Sequence, residues 1–254
     1  MREKLDITAS IVLYNEDLEE LTKTINCFLR VPLKKRLYLI DNTKGKIFQN
    51  IFSQQEIEYI AVGKNIGFGA GHNLVIDRIN SNSNFHLLLN PDVNFKEAVI
   101  PNLIAELKKH ENVAMIAPKV LFPDGKHQDS CRRYPLVSEL FARRFTFLRP
   151  IFKSTVFKGQ YKDIDLDNSF FAEFITGCFH LYKTDDFLEL KGFDERYFLY
   201  MEDVDICKKI DDLGKNKIYY PKEEIVHVLK KESSKNMKLF FIHSVSAIKY
   251  FLKW

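Results

Sequence analysis

Short apolar runs alternate with helix-like patterns through the first 117 residues of the chain. A β-branched run at 7–14 predicts a buried strand, and apolar residues spaced three and four apart at 17–29 predict an amphipathic helix. Further strands are predicted at 37–40, 57–62, 86–89, 113–117, 174–182 and 217–220, and further helices at 74–79, 97–110, 184–190, 202–213 and 235–254. This alternation predicts an α/β fold with a parallel sheet.

Polar side chains follow three of the predicted strands at the points where the strands end. Asn15 follows the first strand, Asp41 the second, and Asn90 and Asp92 the fourth. Ligands bind at the carboxyl ends of the strands in open α/β sheets. The sequence therefore predicts a ligand site at this edge of the sheet.

A glycine-rich segment at 63–73 lies between a predicted strand and a predicted helix. It is not the dinucleotide fingerprint, because His72 stands where that spacing requires glycine, and it is not a P-loop, because Asn65 follows Gly63-Lys64. A flexible turn and a ligand-binding loop are both compatible with this pattern.

Two groups of carboxylates are candidates for chemistry. Asp92 is either a turn residue or a ligand for Mg²⁺ or Mn²⁺, since both cations prefer oxygen ligands. Glu202, Asp203 and Asp205 either begin a helix with charges that suit its dipole or include a general base. The aromatic segment 197–201 would desolvate such a base and raise its pKa.

The composition is that of a soluble globular protein, with 254 residues, 46% hydrophobic and 28% charged. No apolar stretch approaches the ~18 residues of a membrane-spanning helix, and polar residues follow the run 7–14 too soon for a signal peptide. The four cysteines are scattered, which predicts reduced, packed thiols.

The net charge of +4 is small, and no nucleic-acid partner is predicted. The segment 140–162 is basic and aromatic without an acid, which favours contact with an anionic membrane surface. The helix at 235–254 carries an apolar stripe beside its lysines. It could lie on a membrane, but we expect the stripe to pack on the core with the lysines in solvent.

Six motifs occur in a fixed order along the chain. They are IVLYN at 11–15, LIDN at 39–42, NIGFGAGHN at 65–73, LNPD at 89–92, TGC at 176–178 and GFDERYFLYMEDVD at 192–205. Together they resemble the family 2 glycosyltransferases of the GT-A fold, and most of all the bacterial rhamnosyltransferases. The resemblance covers roughly residues 7–230, and the last motif is the most specific.

The resemblance implies a GT-A-type nucleotide-binding α/β domain at residues 1–230, with a mixed, mostly parallel central sheet flanked by helices. Residues 1–117 would bind the nucleotide-sugar and residues 118–230 would supply the acceptor and catalytic half. Residues 231–254 would form a C-terminal amphipathic helix. In the donor pocket, Asp41 would contact the base or ribose, Asn15 would line the same pocket, and Asn65, Gly67 and Gly69 would form the wall near the diphosphate.

The catalytic roles also come from the resemblance. Asp203 would be the catalytic base, with Glu202 at the acceptor or diphosphate. Asn90 and Asp92 would occupy the family's Asp-x-Asp position, with Asp92 on a divalent metal, Mg²⁺ or Mn²⁺. Asn90 replaces the first aspartate, and its neutral amide is a weaker ligand for such a cation. His227 would be a further metal or diphosphate ligand, or else a buried histidine.

The implied reaction is an inverting transfer of a sugar, with L-rhamnose from dTDP-β-L-rhamnose as the expected donor. The acceptor would be a saccharide, expected to be lipid-linked, in O-antigen or capsule synthesis. Arg132 and Arg133 would bind its diphosphate, and the enzyme would be cytoplasmic, at the inner face of the membrane.

Three alternatives remain at this stage. They are a UDP-sugar-dependent member of the family, a nucleotidyltransferase, and a non-catalytic nucleotide-sugar-binding module. A nucleotidyltransferase should carry a glycine-rich basic loop directly after its first strand. Here the first strand leads into the acidic sequence Tyr14-Asn-Glu-Asp17.

Overall fold

A computed structural model describes residues 4–45, 48–137, 153–228 and 237–254. The strands are β1 (Leu5–Leu13), β2 (Lys35–Asp41), β3 (Ile57–Ala61), β4 (Ser83–Leu89), β5 (Val93–Phe95), β6 (Val113–Leu121), β7 (Cys131–Arg132), β8 (Phe170–Phe171), β9 (Phe174–Ile175), β10 (Phe179–Lys183) and β11 (Asn216–His227). The helices are α1 (Leu18–Leu29), α2 (Phe68–Asn73), α3 (Ile76–Ile79), α4 (Val99–Leu107), α5 (Lys153–Gly159), α6 (Thr184–Glu189), α7 (Glu202–Asp212) and α8 (Met237–Lys253).

The described residues form one large sheet with the strand order β3-β2-β1-β4-β10-β6-β11-β5, and β8 pairs with β11. Strands β3, β2, β1, β4, β6 and β11 share one direction, while β10, β5 and β8 run opposite to them. The predicted α/β fold with a mixed, mostly parallel sheet is therefore confirmed. Strands β7 and β9 form a separate small ribbon.

Both faces of the sheet are covered, as a largely parallel sheet requires. On β1, Ile7 and Ile11 point to one hydrophobic layer and Val12 points to the other. Helices α1 and α4 cover the first face, and α6 and α7 cover the second. The helical residues that pack there include Leu21, Ile25, Phe28, Leu103 and Leu107 on the first face, and Phe187, Ile206 and Ile210 on the second.

The structure differs from the predicted elements at several places. The predicted strand 174–182 is interrupted by a turn at 176–178, where the Cys178 N–H donates to the Thr176 carbonyl. Strand β11 continues far beyond residue 220, because a register shift between Tyr220 and Glu224 lets it resume pairing with β6. Periodicity over single segments does not reveal either feature.

The apolar stripe of the C-terminal helix does not pack on the core, so the expectation that it would is wrong. Phe241, Ile248 and Leu252 are exposed, and the opposite face of α8 is buried at Ser246 and Tyr250. The reason is that polar groups on that opposite face bond to the loop before α7, as described below.

Two further expectations can be compared with the described residues. All four cysteines are free and buried, as predicted. Arg143, Arg144 and Arg149 of the basic segment 140–162 lie outside the described residues. Among the helices that are described, none has the length and apolar character needed to cross a membrane.

Candidate active site

The carboxyl ends of β1 and β2 place a network of polar groups at one edge of the sheet. Asp41 is fully buried. Its Oδ1 accepts a hydrogen bond from the Thr43 N–H at 2.7 Å, and its Oδ2 accepts one from the Tyr59 hydroxyl. Burial, reinforced by this carboxylate, raises the pKa of Tyr59. Asn15 has a left-handed backbone (φ 56°) and its N–H donates to Thr43 Oγ1 at 3.0 Å. The two predicted pocket residues are thus joined through Thr43.

The glycine-rich loop hydrogen-bonds to this edge of the sheet and packs against a segment that is distant along the chain. The Asn42 amide donates to the Gly67 carbonyl at 3.1 Å, and Asn65 Oδ1 accepts from the Gly67 N–H at 3.0 Å. Gly67 has φ +95°, and a Cβ there would lie 2.2 Å from the Phe198 carbonyl oxygen. A Cβ on Gly69 would lie 2.7 Å from Phe193 Cβ. The glycines therefore allow this loop to pack against the segment that precedes α7.

A second group of polar side chains lies where β4 ends beside the end of β11. Asp92 Oδ1 lies 3.3 Å from His227 Nε2, and Asn90 Nδ2 lies 3.4 Å from the same nitrogen. Gln128 completes the group, since its Oε1 accepts from His227 Nδ1 at 3.2 Å and its amide donates to the His227 carbonyl at 2.6 Å. The structure thus brings together three residues that the sequence singled out.

The charge of His227 depends on these neighbours. Burial lowers the pKa of His227, but the Asp92 carboxylate and the Cys178 thiol outweigh burial and raise it to about 10. The ring is therefore held as a cation beside a carboxylate.

Asp92 and His227 carry the oxygen and nitrogen ligand types that a divalent cation such as Mg²⁺ or Mn²⁺ can take. The ligand atoms of an octahedral Mg²⁺ or Mn²⁺ lie about 3 Å from their neighbours, close to the 3.3 Å between Asp92 Oδ1 and His227 Nε2. Among the residues that the structure describes, no group of three or more His, Cys, Asp or Glu side chains could hold a metal. Substrate phosphate oxygens and water would have to complete the coordination.

Asp203 lies in the first turn of α7, directly after a strained stretch of backbone. Tyr200 and Met201 both have φ 68°, a left-handed conformation that is costly for bulky residues and concentrates at functional sites. Asp203 Oδ1 accepts from the Val204 N–H at 2.9 Å, and Oδ2 accepts from the Gly177 N–H at 3.2 Å. Burial raises the pKa of Asp203, while these backbone N–H groups and the charge of Arg132 oppose the rise.

Glu202 is more deeply buried than its neighbour and is 5% exposed. Its Oε2 makes no hydrogen bond within the described part of the chain. Burial, followed by the charge of Asp203, raises the pKa of Glu202 well above its usual range. The pKa of Glu202 is thus raised further than that of Asp203.

The third carboxylate of the acidic cluster has a structural role. Asp205 is fully buried and accepts hydrogen bonds from Lys253 Nζ at 2.7 Å, Trp254 Nε1 at 2.8 Å and the Tyr197 hydroxyl at 3.2 Å. The end of α8 therefore holds the start of α7. The sequence patterns gave no sign of this contact, nor of the contacts of Asn42 and Gln128, because the partners lie far apart along the chain.

Arg132 and Arg133 have different surroundings. Arg132 Nε donates to the Asp129 carbonyl at 2.8 Å, and its charge acts on Asp203. Arg133 pairs with Asp163 at 2.7 Å, and its guanidinium carbon lies 4.5 Å from the ring centre of Tyr161. The acceptor role of both arginines stays a prediction, and Arg133 is already engaged within the protein.

Comparison with known proteins places these features in a family. The family described as Glycosyl transferase family 2 matches residues 8–188. The "N-acetylglucosaminyl-diphospho-decaprenol L-rhamnosyltransferase" of Mycobacterium tuberculosis (strain ATCC 25618 / H37Rv) is 23% identical over 237 residues, which cover 89% of this chain and 76% of that protein. "Rhamnosyltransferase WbbL" of Escherichia coli (strain K12) is 27% identical over 227 residues, covering 85% and 81%.

Solved glycosyltransferase structures share the fold. A crystal structure of GalNAc-T7 with UDP, GalNAc and Mn²⁺ superposes with a TM-score of 0.66 at 13% identity over 92% of this chain and 45% of that chain. Residues 1–349 of S. aureus TarS superpose with a TM-score of 0.59 at 11% identity, over 96% and 65%. The chain thus spans about half of the GalNAc-T7 chain and two thirds of the TarS chain. The fold is the predicted GT-A fold, and the chain belongs to glycosyl transferase family 2.

Proposed function

We propose that this member of the family is an inverting glycosyltransferase in which Asp203 is the base. The observation that carries the proposal is the turn at 176–178. The Gly177 N–H donates to Asp203, and the Asn90 N–H donates to the Cys178 carbonyl at 2.9 Å. One short turn therefore joins the proposed base to the proposed diphosphate site around Asp92.

The edge formed by β1, β2 and the glycine-rich loop is the proposed donor pocket. Asp41, held by Thr43 and Tyr59, would accept hydrogen bonds from the base or ribose of the nucleotide. Gly67 and Gly69 would line the path to the diphosphate. The loop and the catalytic segment pack directly on each other, which would align the donor with Asp203 before reaction.

Asp92 and His227 would hold a divalent cation together with the diphosphate. When bound, this cation neutralises the charge that develops on the leaving oxygen. His227 would have to lose its proton to act as a ligand. Asn90 would contribute its amide to the same site.

Asp203 would remove the proton of the acceptor hydroxyl as that oxygen attacks the anomeric carbon. The new glycosidic bond forms as the bond from the anomeric carbon to the diphosphate oxygen breaks, and the electron pair of that bond leaves with the nucleoside diphosphate. Attack from the face opposite the leaving group inverts the anomeric configuration. A donor with a β linkage would give an α product.

We further propose that the donor is dTDP-β-L-rhamnose and the acceptor a lipid-linked saccharide of a bacterial surface polysaccharide such as O-antigen or capsule. Two relatives named rhamnosyltransferases, one of them named for N-acetylglucosaminyl-diphospho-decaprenol, support rhamnose as the sugar and a lipid-linked acceptor. A UDP-sugar is the alternative donor. A lipid-linked acceptor would bring the enzyme to the cytoplasmic face of the membrane, where the basic segment 140–162 and Arg132 would contact anionic groups.

The test of this proposal is a transfer assay with Asp203→Asn. The variant removes the base and keeps the shape of the side chain, so we expect transfer to fall by at least about 100-fold while dTDP-sugar binding stays within about threefold. Donor affinity measured by calorimetry is the internal control. Transfer at the wild-type rate in this variant would show that another group is the base.

A further inference from the structure

One face of α8 is apolar and faces solvent. Four of its residues form what we call the outer stripe, and each is more than half exposed: Met237 73%, Phe241 69%, Ile248 60% and Leu252 83%. At 3.6 residues per turn, these four positions fall within a sector of about 60° on the helix. An apolar stripe of this kind on a protein surface marks an interaction site.

The orientation of the stripe is fixed by polar contacts of residues outside it, with Ser246 and Lys253 on the opposite side of α8 and Lys249 beside the edge of the stripe. Ser246 Oγ donates to the Leu199 carbonyl at 2.9 Å, Lys249 Nζ to the Arg196 carbonyl at 2.6 Å, and Lys253 Nζ to Asp205. Turning the stripe toward the core would break these bonds and leave Asp205 buried without its cation. These contacts therefore hold the outer stripe toward solvent.

The charges of α8 point to one kind of partner. The helix contains Lys238, Lys249 and Lys253 and no aspartate or glutamate. Lys238 and Lys249 lie along one edge of the stripe and are exposed. Lys253 is already paired with Asp205, but a second copy of this helix would bring Lys238 and Lys249 toward lysines of its own kind, with no acid on either helix. An anionic lipid surface would neutralise the same lysines and take up the apolar side chains.

We infer that the outer stripe of α8 docks on an anionic lipid surface, with the helix lying in the plane of the headgroups. The inference rests on the proposed function in one respect, since a lipid-linked acceptor would lie in that same surface. The face of α8 that contacts Leu199, Arg196 and Asp205 would then set the height of the start of α7, which carries Asp203, above the lipid.

The test is co-sedimentation of the full chain with vesicles, one set of phosphatidylcholine and another that also contains phosphatidylglycerol. We expect the wild-type protein to bind the anionic vesicles and Phe241→Ser/Leu252→Ser to bind them at least about tenfold more weakly. Phe171→Ser/Leu18→Ser is the matched control, because those two side chains are 58% and 44% exposed and belong to β8 and α1 instead of α8. The control should bind like the wild type.

Equal binding by the stripe variant and the control would overturn the inference, as would the absence of wild-type binding. A wild-type dimer that becomes monomeric in the stripe variant, with no vesicle binding, would also overturn it and would identify a second copy as the occupant. Binding is measured without turnover, so Asp203→Asn protein should sediment like the wild type. Failure of the proposed transfer reaction and failure of lipid docking are thus separate outcomes.

Discussion

At the scale of single residues, two adjacent carboxyls have different tasks because their surroundings differ. Asp203 accepts two backbone N–H bonds, which favour its charged form, while Glu202 is buried with one oxygen unpaired. The two groups interact, so their titrations are coupled. The charge of Asp203 raises the pKa of Glu202, so we expect Asp203 to ionise first and to be the base.

This order predicts a specific pH profile. The pKa of Asp203 is raised, and only the deprotonated form can take a proton, so kcat/KM should fall tenfold per pH unit below an apparent pKa above the usual aspartate value. The pKa of Glu202 is raised further than that of Asp203, so we expect Glu202 not to set this acidic limb. Glu202→Gln should therefore leave the position of this acidic limb unchanged to within about 0.3 units, whatever its effect on the rate. A limb that moves or disappears in Glu202→Gln would assign the titration to Glu202.

The sequence identified the individual site residues, but it did not identify many of the residues that hydrogen-bond to them. Asp92, His227 and Asp203 could be named because the resemblance fixes their types at recognisable positions, although their roles remain predictions. Several hydrogen-bonding partners of the site residues lie far away along the chain, so local sequence patterns do not reveal them. Gln128 contacts His227 across 99 residues of chain, and Lys253 contacts Asp205 across 48. Only the fold determines which such pairs meet.

At the scale of elements, loops from three parts of the chain depend on one another. The glycine-rich loop packs on Phe193 and Phe198, and α8 donates hydrogen bonds to the carbonyls of Arg196 and Leu199 in the same loop. Strong periodicity made β1, α1 and α7 predictable to within two residues at each end. The exposed face of α8 was not predictable, because an apolar stripe fits a core and a surface equally well until the partners of the opposite face are known.

The contact between these loops can be tested with two glycines. Gly67 and Gly63 both have positive φ, +95° and +74°, but a Cβ at Gly63 meets nothing within 4 Å. Gly63→Ala should cost only the backbone strain, about 1 kcal/mol of unfolding free energy. Gly67→Ala adds a collision with a backbone carbonyl and should cost about 3 kcal/mol and weaken donor binding. Denaturant unfolding of both variants checks this, and equal losses would mean that the loop contact contributes nothing.

The link between α8 and α7 gives a second prediction at this scale. Lys253→Met removes the cation beside buried Asp205 and should lower the unfolding free energy by about 3 kcal/mol. Lys109→Met is the control, since Lys109 is exposed and pairs with Glu106 near the surface, so its loss should cost much less than that of Lys253. Urea titrations would measure both. A loss in Lys253→Met no larger than in the control would contradict a stabilising contact between Lys253 of α8 and Asp205 of α7.

At the scale of the whole molecule, the second face of the sheet buries several histidines, two of which hydrogen-bond to β1. Thr8 and Ser10 on β1 hydrogen-bond to the two nitrogens of His86, at 2.9 and 3.1 Å, and Ser10 also bonds to His72 at 2.7 Å. Burial lowers the pKa of His86 to about 3, that of His180 to about 4, and that of His72 well below its usual value. The folded protein thus keeps these rings neutral.

Stability should therefore decrease in mild acid. An unfolded histidine takes up a proton near pH 6.5, whereas folded His86 does so only near pH 3, so its contribution is complete above pH 6.5 and decreases as the pH falls below that value. Between pH 6.5 and 5 the wild type should lose about 2 kcal/mol more unfolding free energy than His86→Asn, which cannot titrate. Parallel curves for the two proteins would mean that His86 is protonated in the folded state.

The broad features of the molecule followed from the sequence, and its function class followed from the order of the motifs. The family match leaves no support for a nucleotidyltransferase, whereas the choice between dTDP and UDP rests on relatives of 23% and 27% identity. Donor choice depends on contacts with a base that local patterns do not specify.

The most direct measurement is the change in Tm with dTDP, UDP, GDP and CDP, each with and without Mn²⁺. A nucleotide at about 100 times its Kd adds about 2.7 kcal/mol of stability, which is readily seen. We predict the largest rise for dTDP, dependent on Mn²⁺ and lost in Asp92→Ala. A rise with UDP alone would still support a glycosyltransferase, but with a UDP-sugar as the donor instead of a dTDP-sugar. No rise with any nucleotide would contradict the proposed donor pocket.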